Sequence, residues 1–133
     1  MNPHYRDVAA RAGHRCEYCR APEAIFNFPF EVEHIVPVSR GGPDEAANLA
    51  LACRACNVLK ADALTGVDET TGNEVPLFHP RRDAWDDHFR VDRGSGQIHG
   101  LTPVGRATVA RLQMNRPLQL AARQQWARLG LFP

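Results

Sequence analysis

The chain has 133 residues, 44% hydrophobic and 23% charged, with a formal net charge of +1, which fits one globular domain with its own core and leaves little room for two. No run of about 18 apolar residues occurs, which excludes a helical membrane span, and the polar start MNPHYRDVAARAG lacks the apolar stretch of a secretory signal, so the expected compartment is the cytoplasm. The near-neutral total hides a division: residues 1–92 carry 15 acids and 10 bases, whereas residues 93–133 carry six arginines and no acid, a one-signed segment that points to a polyanionic partner. Lys60 is the only lysine, and with the abundant Ala and Pro this Arg-rich usage points to a bacterial or phage origin.

Asn2 before Pro3 reads as an N-cap with proline at the first helical position, and Gly13 as a stop. Residues 3–12 are therefore expected to be helical, with Asp7 and Arg11 paired across one turn. The pair Cys16 and Cys19 follows in RCEYCR. Residues 28–36, FPFEVEHIV, alternate Phe28, Phe30 and Val32 against more polar neighbours, a strand pattern that Pro37 ends. SRGGPDEAAN is a loop by its Gly and Pro content. LALA at 49–52 is a short apolar strand, and Cys53 and Cys56 lead into NVLKADAL, a short helix closing before Gly66. Residues 67–76 read as a turn, Pro80 to His88 as a helix, and FRVDRGSGQIHGL as a hairpin around Gly94–Gly96. Thr102–Pro103 opens a helix to about Gln113, and Asn115–Arg116–Pro117 opens a last one ending near Gly130. The fold class is α+β, a single domain over 1–133. A β–loop–β–α unit forms its centre within 13–64, and 65–133 is an extension with a hairpin and basic helices.

Cys16, Cys19, Cys53 and Cys56 form two C-x-x-C pairs separated by 33 residues, with none left over. A cytoplasmic chain seldom spends four cysteines on disulfides. Two such knuckles place four thiolates tetrahedrally around Zn²⁺, so a structural zinc is expected. Redox use of one pair would leave the other unexplained.

The chemically informative block is Glu33-His34-Ile-Val-Pro37, then Gly41-Gly42, Asn48-Leu49, and Cys53-x-x-Cys56-Asn57-x-x-Lys60. Hydrolysing a phosphodiester requires a group to deprotonate water, a charge to neutralise the phosphate in the transition state, and stabilisation of the leaving oxygen. His34 is the candidate base, since a neutral imidazole is available near neutral pH. Glu33 and Asn57 offer oxygen ligands of the kind that suit Mg²⁺ or Mn²⁺. Lys60, one helical turn beyond Asn57, is a candidate phosphate contact. Arg40 and Arg54 flank the block as surface residues, and His79, His88 and His99 belong to no motif.

This block resembles the HNH endonuclease family in its zinc-stapled branch, over about residues 13–64. The resemblance implies a ββα-metal finger acting on DNA, with duplex DNA as partner and 5′-phosphate and 3′-hydroxyl products. It further implies that His34 ends a strand as the general base, that Asn48 in the loop holds it in place, and that Asn57 on the following helix binds the catalytic metal beside Glu33. The third motif position is Asn rather than His, which favours Mg²⁺ over transition metals. In a regular strand Glu33 and His34 point to opposite faces, so both serve one site only if the strand ends or bulges there. Outside the resemblance, Arg106, Arg111, Arg116 and Arg123 on the terminal helices are DNA-backbone candidates, with Leu101, Val104, Leu112, Leu118, Trp126 and Leu129 expected to bury the other side. The alternative is a zinc-folded DNA-binding module that does no chemistry, which leaves Glu33, His34 and Asn57 without a joint purpose.

Overall fold

In the computed structural model, which describes residues 1–133, α1 (Tyr5–Arg11) buries Val8 and Ala9 against the first strand pair. Arg11 ties it down, donating to the carbonyls of Ala46 at 2.9 Å and Leu49 at 2.5 Å. β1 (Glu31–His34) runs antiparallel to β2 (Leu49–Ala52), with Glu31 opposite Ala52 and His34 opposite Leu49. β1 is shorter than its alternation predicted: Phe28 lies outside it and is 77% exposed. All four residues of β2 are buried, and Leu49 and Leu51 each contribute about 1.5–3 kcal/mol by leaving water. Cys53 caps α2 (Arg54–Lys60) in an extended conformation, so the helix starts three residues before the expected NVLKADAL stretch and ends earlier.

The second half departs further from expectation. The stretch read as a turn is a hairpin, β3 (Thr65–Asp68) with β4 (Asn73–Pro76). Asp68 organises its tip, accepting from Thr70 N at 3.2 Å and the Thr71 hydroxyl at 2.8 Å. Gly72 takes φ +76° there, a left-handed conformation that glycine adopts at little cost. α3 covers only Trp85–His88, because Asp83 accepts from His79 N at 2.9 Å and holds the preceding residues in a turn. β5 (Phe89–Val91) and β6 (Ile98–Gly100) form the expected hairpin. Thr102 caps α4 (Pro103–Arg111), its hydroxyl accepting from Gly105 N at 3.0 Å, and α5 (Pro117–Arg128) follows with proline in its first turn.

One buried cluster links both halves, running from Tyr18, Leu49 and Leu51 through Phe78, Trp85 and Phe89 to Ile98 and Leu112. Trp85 Nε1 donates to Tyr18 O at 2.8 Å, fastening the first cysteine knuckle to the C-terminal elements. Of the residues expected to seal the terminal helices, Leu112 is buried and Val104 and Trp126 pack half-buried against the core. Leu118, Leu129 and Leu101 stay 78%, 71% and 47% exposed. No helix is long and apolar enough to cross a membrane.

Candidate active site and metal centre

The four cysteines meet as their spacing implies. Cys16 and Cys19 sit in a tight turn in which Arg20 takes φ +68° and donates its N–H to Cys16 O at 2.9 Å. Cys53 and Cys56 occupy the cap and first turn of α2. All four are buried free thiols whose sulfurs lie within 4.8 Å of one another, with Cys19 and Cys53 Sγ 3.8 Å apart. Tetrahedral Zn–S bonds of about 2.3 Å require sulfur separations of about 3.8 Å, so the residues fit zinc. The protonation chemistry of the set agrees: hydrogen bonding with Cys16 and the other sulfurs pushes Cys19 and Cys56 up and Cys53 down. Four packed thiols cannot ionise together without a cation between them.

His34 ends β1 with its side chain 22% exposed. Its Nε2 lies 2.9 Å from Asp44 Oδ1, and His4 Nε2 lies 3.1 Å from the other oxygen of the same carboxylate. These two imidazoles hold the Asp44 carboxyl below its usual range, the His34 contact first. Asn48 is buried and pins the intervening loop rather than the imidazole: its Oδ1 accepts from Val36 N at 2.9 Å, while its Nδ2 donates to Val36 O at 3.0 Å and Pro43 O at 2.9 Å. The Gly-Gly pair is a requirement of that fold-back. Gly41 takes φ +83°, and a Cβ on Gly42 would lie 1.7 Å from Val36 O.

Glu33 and His34 point apart, as strand alternation dictates. Glu33 is 5% exposed; it accepts from the Tyr18 hydroxyl at 2.6 Å and forms an ion pair with Lys60 Nζ at 2.6 Å. Lys60, 2% exposed, also donates to Ile35 O at 2.9 Å. Burial pushes the Glu33 carboxyl up, and Lys60 and Tyr18 offset part of that rise. The structure therefore places both expected site residues inside the core, the Glu33 carboxylate against the Lys60 ammonium and Lys60 away from the surface. Asn57 lies half-buried on α2 and donates Nδ2 to Glu31, whose other oxygen takes Arg54 at 2.8 Å. Glu33 and Asn57 are not assembled as a ligand pair in this arrangement.

The sequence model of the HNH endonuclease family matches residues 16–63, from the first cysteine to just beyond α2. Over those residues the chain is similar to the HNH endonuclease family. No curated protein and no solved structure matches the chain. Within the matched residues, His34, Asn48 and Asn57 fall on the end of β1, the loop before β2, and α2.

Outside it, the arginines divide. Arg123 is 2% exposed and donates to the carbonyls of Gly96 and Met114 and to Asn115 Oδ1, so it holds the fold instead of facing a ligand. Arg106 forms a two-bond pair with buried Asp68 at 2.8 and 3.1 Å, which drives that carboxyl well below the usual carboxylate range. Arg116 is half-buried with its Nε enclosed, and Arg111 is exposed. Sequence reasoning missed Asp44. Its signal was the acid two residues after Gly42, in a loop whose ends the motif already fixes.

Proposed function

We propose that the chain is a divalent-cation-dependent DNA endonuclease in which His34 acts as general base. The observation that carries the reading is the state of that imidazole. It stands at the rim of the HNH-like region, part-exposed, with Nε2 engaged by Asp44 and Nδ1 in no hydrogen bond. His34 Nδ1 takes a proton from water; the resulting hydroxide attacks phosphorus as the bond to the 3′ oxygen breaks, and the departing oxygen takes up a proton from solvent, leaving 5′-phosphate and 3′-hydroxyl ends. Mg²⁺ or Mn²⁺, the cations the HNH resemblance implies, would offset charge developing on the phosphate. Asn57, with its oxygen in no hydrogen bond, is the candidate ligand; Glu33 as placed here is not. The zinc is structural, and Arg111 with the other exposed arginines supplies the attraction for the DNA backbone. Four free thiols gathered for a metal suit the cytoplasm.

The test is incubation of supercoiled plasmid with zinc-loaded protein and Mg²⁺ or Mn²⁺. The expected products are nicked or linear plasmid that ligase reseals without prior phosphorylation. Intact plasmid under every cation, together with a mobility shift of the DNA, would instead support the non-catalytic binding module.

A further inference from the structure

We propose that Asp44 is the positioning residue of the site, a carboxylate that orients His34 so that Nδ1 faces the reaction. The inference rests on the assignment of His34 as base and extends it to a residue outside the three motif positions. A carboxylate only accepts hydrogen bonds. With Asp44 Oδ1 2.9 Å from His34 Nε2, the Nε2 nitrogen must carry the proton, and the free lone pair of the neutral ring lies on Nδ1. Asp44 thus selects both the tautomer and the ring orientation.

The carboxylate is itself held by the loop. Asn48 grips the carbonyls of Val36 and Pro43 and the amide of Val36, clamping the chain on either side of the Gly-Gly turn. Pro43 immediately precedes Asp44, so the clamp ends one residue from the carboxylate. The second oxygen of Asp44 is met by His4 at 3.1 Å, at the start of α1, which leaves the carboxylate bridged between two rings. Asn48 accordingly acts on the base indirectly: it fixes the loop, the loop fixes Asp44, and Asp44 fixes His34. Its side chain makes no hydrogen bond to the imidazole.

The experiment compares wild type, Asp44→Ala and Asp44→Glu by plasmid-cleavage kinetics, thermal midpoint and ¹⁵N NMR of the His34 ring. Losing the partner that orients a metal-bound histidine costs about 10–100-fold, and a loss of at least that order is expected where the histidine is itself the base. Asp44→Ala should lose kcat by at least that factor, with the KM for DNA and the Mg²⁺ requirement little changed and the thermal midpoint retained. Asp44→Glu should recover part of the loss. The ring should be a single Nε2–H tautomer in wild type and a mixture in Asp44→Ala. Wild-type kcat in Asp44→Ala overturns the proposal. So does a rate loss with an unchanged tautomer and a raised Mg²⁺ requirement, which makes Asp44 a metal ligand, or a loss that follows a lowered thermal midpoint, which makes its role structural. If His34→Ala itself cleaves at the wild-type rate, the base assignment fails, whereas the NMR result still judges the Asp44–His34 contact.

Discussion

Glu33 and His34 are neighbours in β1, yet one is sealed in the core and the other reaches the rim, because successive strand residues face opposite ways. The Glu33–Lys60 pair is a buried ion pair with little access to water. Two charges brought into that environment are tolerable only together; breaking such a pair by removing one partner typically costs about 3–5 kcal/mol. Lys60→Ala and Glu33→Gln should each lower the free energy of unfolding by roughly that amount in urea titrations. A phosphate-contacting lysine would instead leave the urea midpoint unmoved and weaken DNA binding. Replacing both partners by apolar residues of similar volume should recover much of the loss.

Among the elements, the two knuckles are the least self-sufficient. The turn at Cys16–Cys19 and the short helix α2 bring four buried thiols together, and zinc bound between them would supply folding free energy of roughly 10 kcal/mol or more. Cys16→Ser and Cys53→Ser should give molten or insoluble protein. Stripping zinc with a strong chelator should also change tryptophan fluorescence, since Trp85 hydrogen-bonds to the first knuckle. Fully folded, zinc-free protein would refute this role. Elements of this kind were legible in the sequence: cysteine spacing, the apolar LALA strand and the Pro-initiated helices each carry a local signal. The β3–β4 hairpin was not, since VDETTGNEVP has little apolar alternation, and its strands are set by α4 packing over β3 and by Asp68 bonding its own turn. For Asp44 the acid after Gly42 was visible but its role was not, because that role depends on a fold-back that brings residue 44 to residue 34. The same limit applied to Arg123 and Lys60, which the sequence offered as phosphate contacts while tertiary partners draw them inward. Asp68 makes the point measurable. Its carboxyl is depressed in the folded state by Arg106, so its stabilisation is complete above the unfolded carboxylate value of about 3.9 and is lost as pH falls through the lower folded value. Asp68→Asn should be less stable than wild type at neutral pH, and the gap in urea midpoint should close below about pH 4. A gap independent of pH would contradict the ion-pair account.

At the scale of the whole molecule, the asymmetry of charge survives but its carriers change. Arg106 and Arg123 are spent on the fold, whereas Arg93, Arg111 and Arg128 are exposed and form no ion pair. Each phosphate contact adds about 0.9 to the slope of log K against log salt. Replacing Arg93, Arg111 and Arg128 with Gln should therefore reduce that slope by up to about 2–3 while leaving the thermal midpoint in place. Arg123→Met should do the reverse, costing about 1–3 kcal/mol of stability through orphaned buried carbonyls. An unchanged slope in the triple variant would place the DNA on another face.

All of this converges on one imidazole. The most direct measurement is the single-turnover rate of duplex cleavage by zinc-loaded wild type and His34→Ala at saturating protein and Mg²⁺, each checked for zinc content and thermal midpoint. Loss of a general base typically costs about 10²–10⁴-fold, and the expected result is a loss of that size with zinc, fold and DNA affinity retained. Cleavage by His34→Ala at the wild-type rate would contradict the account.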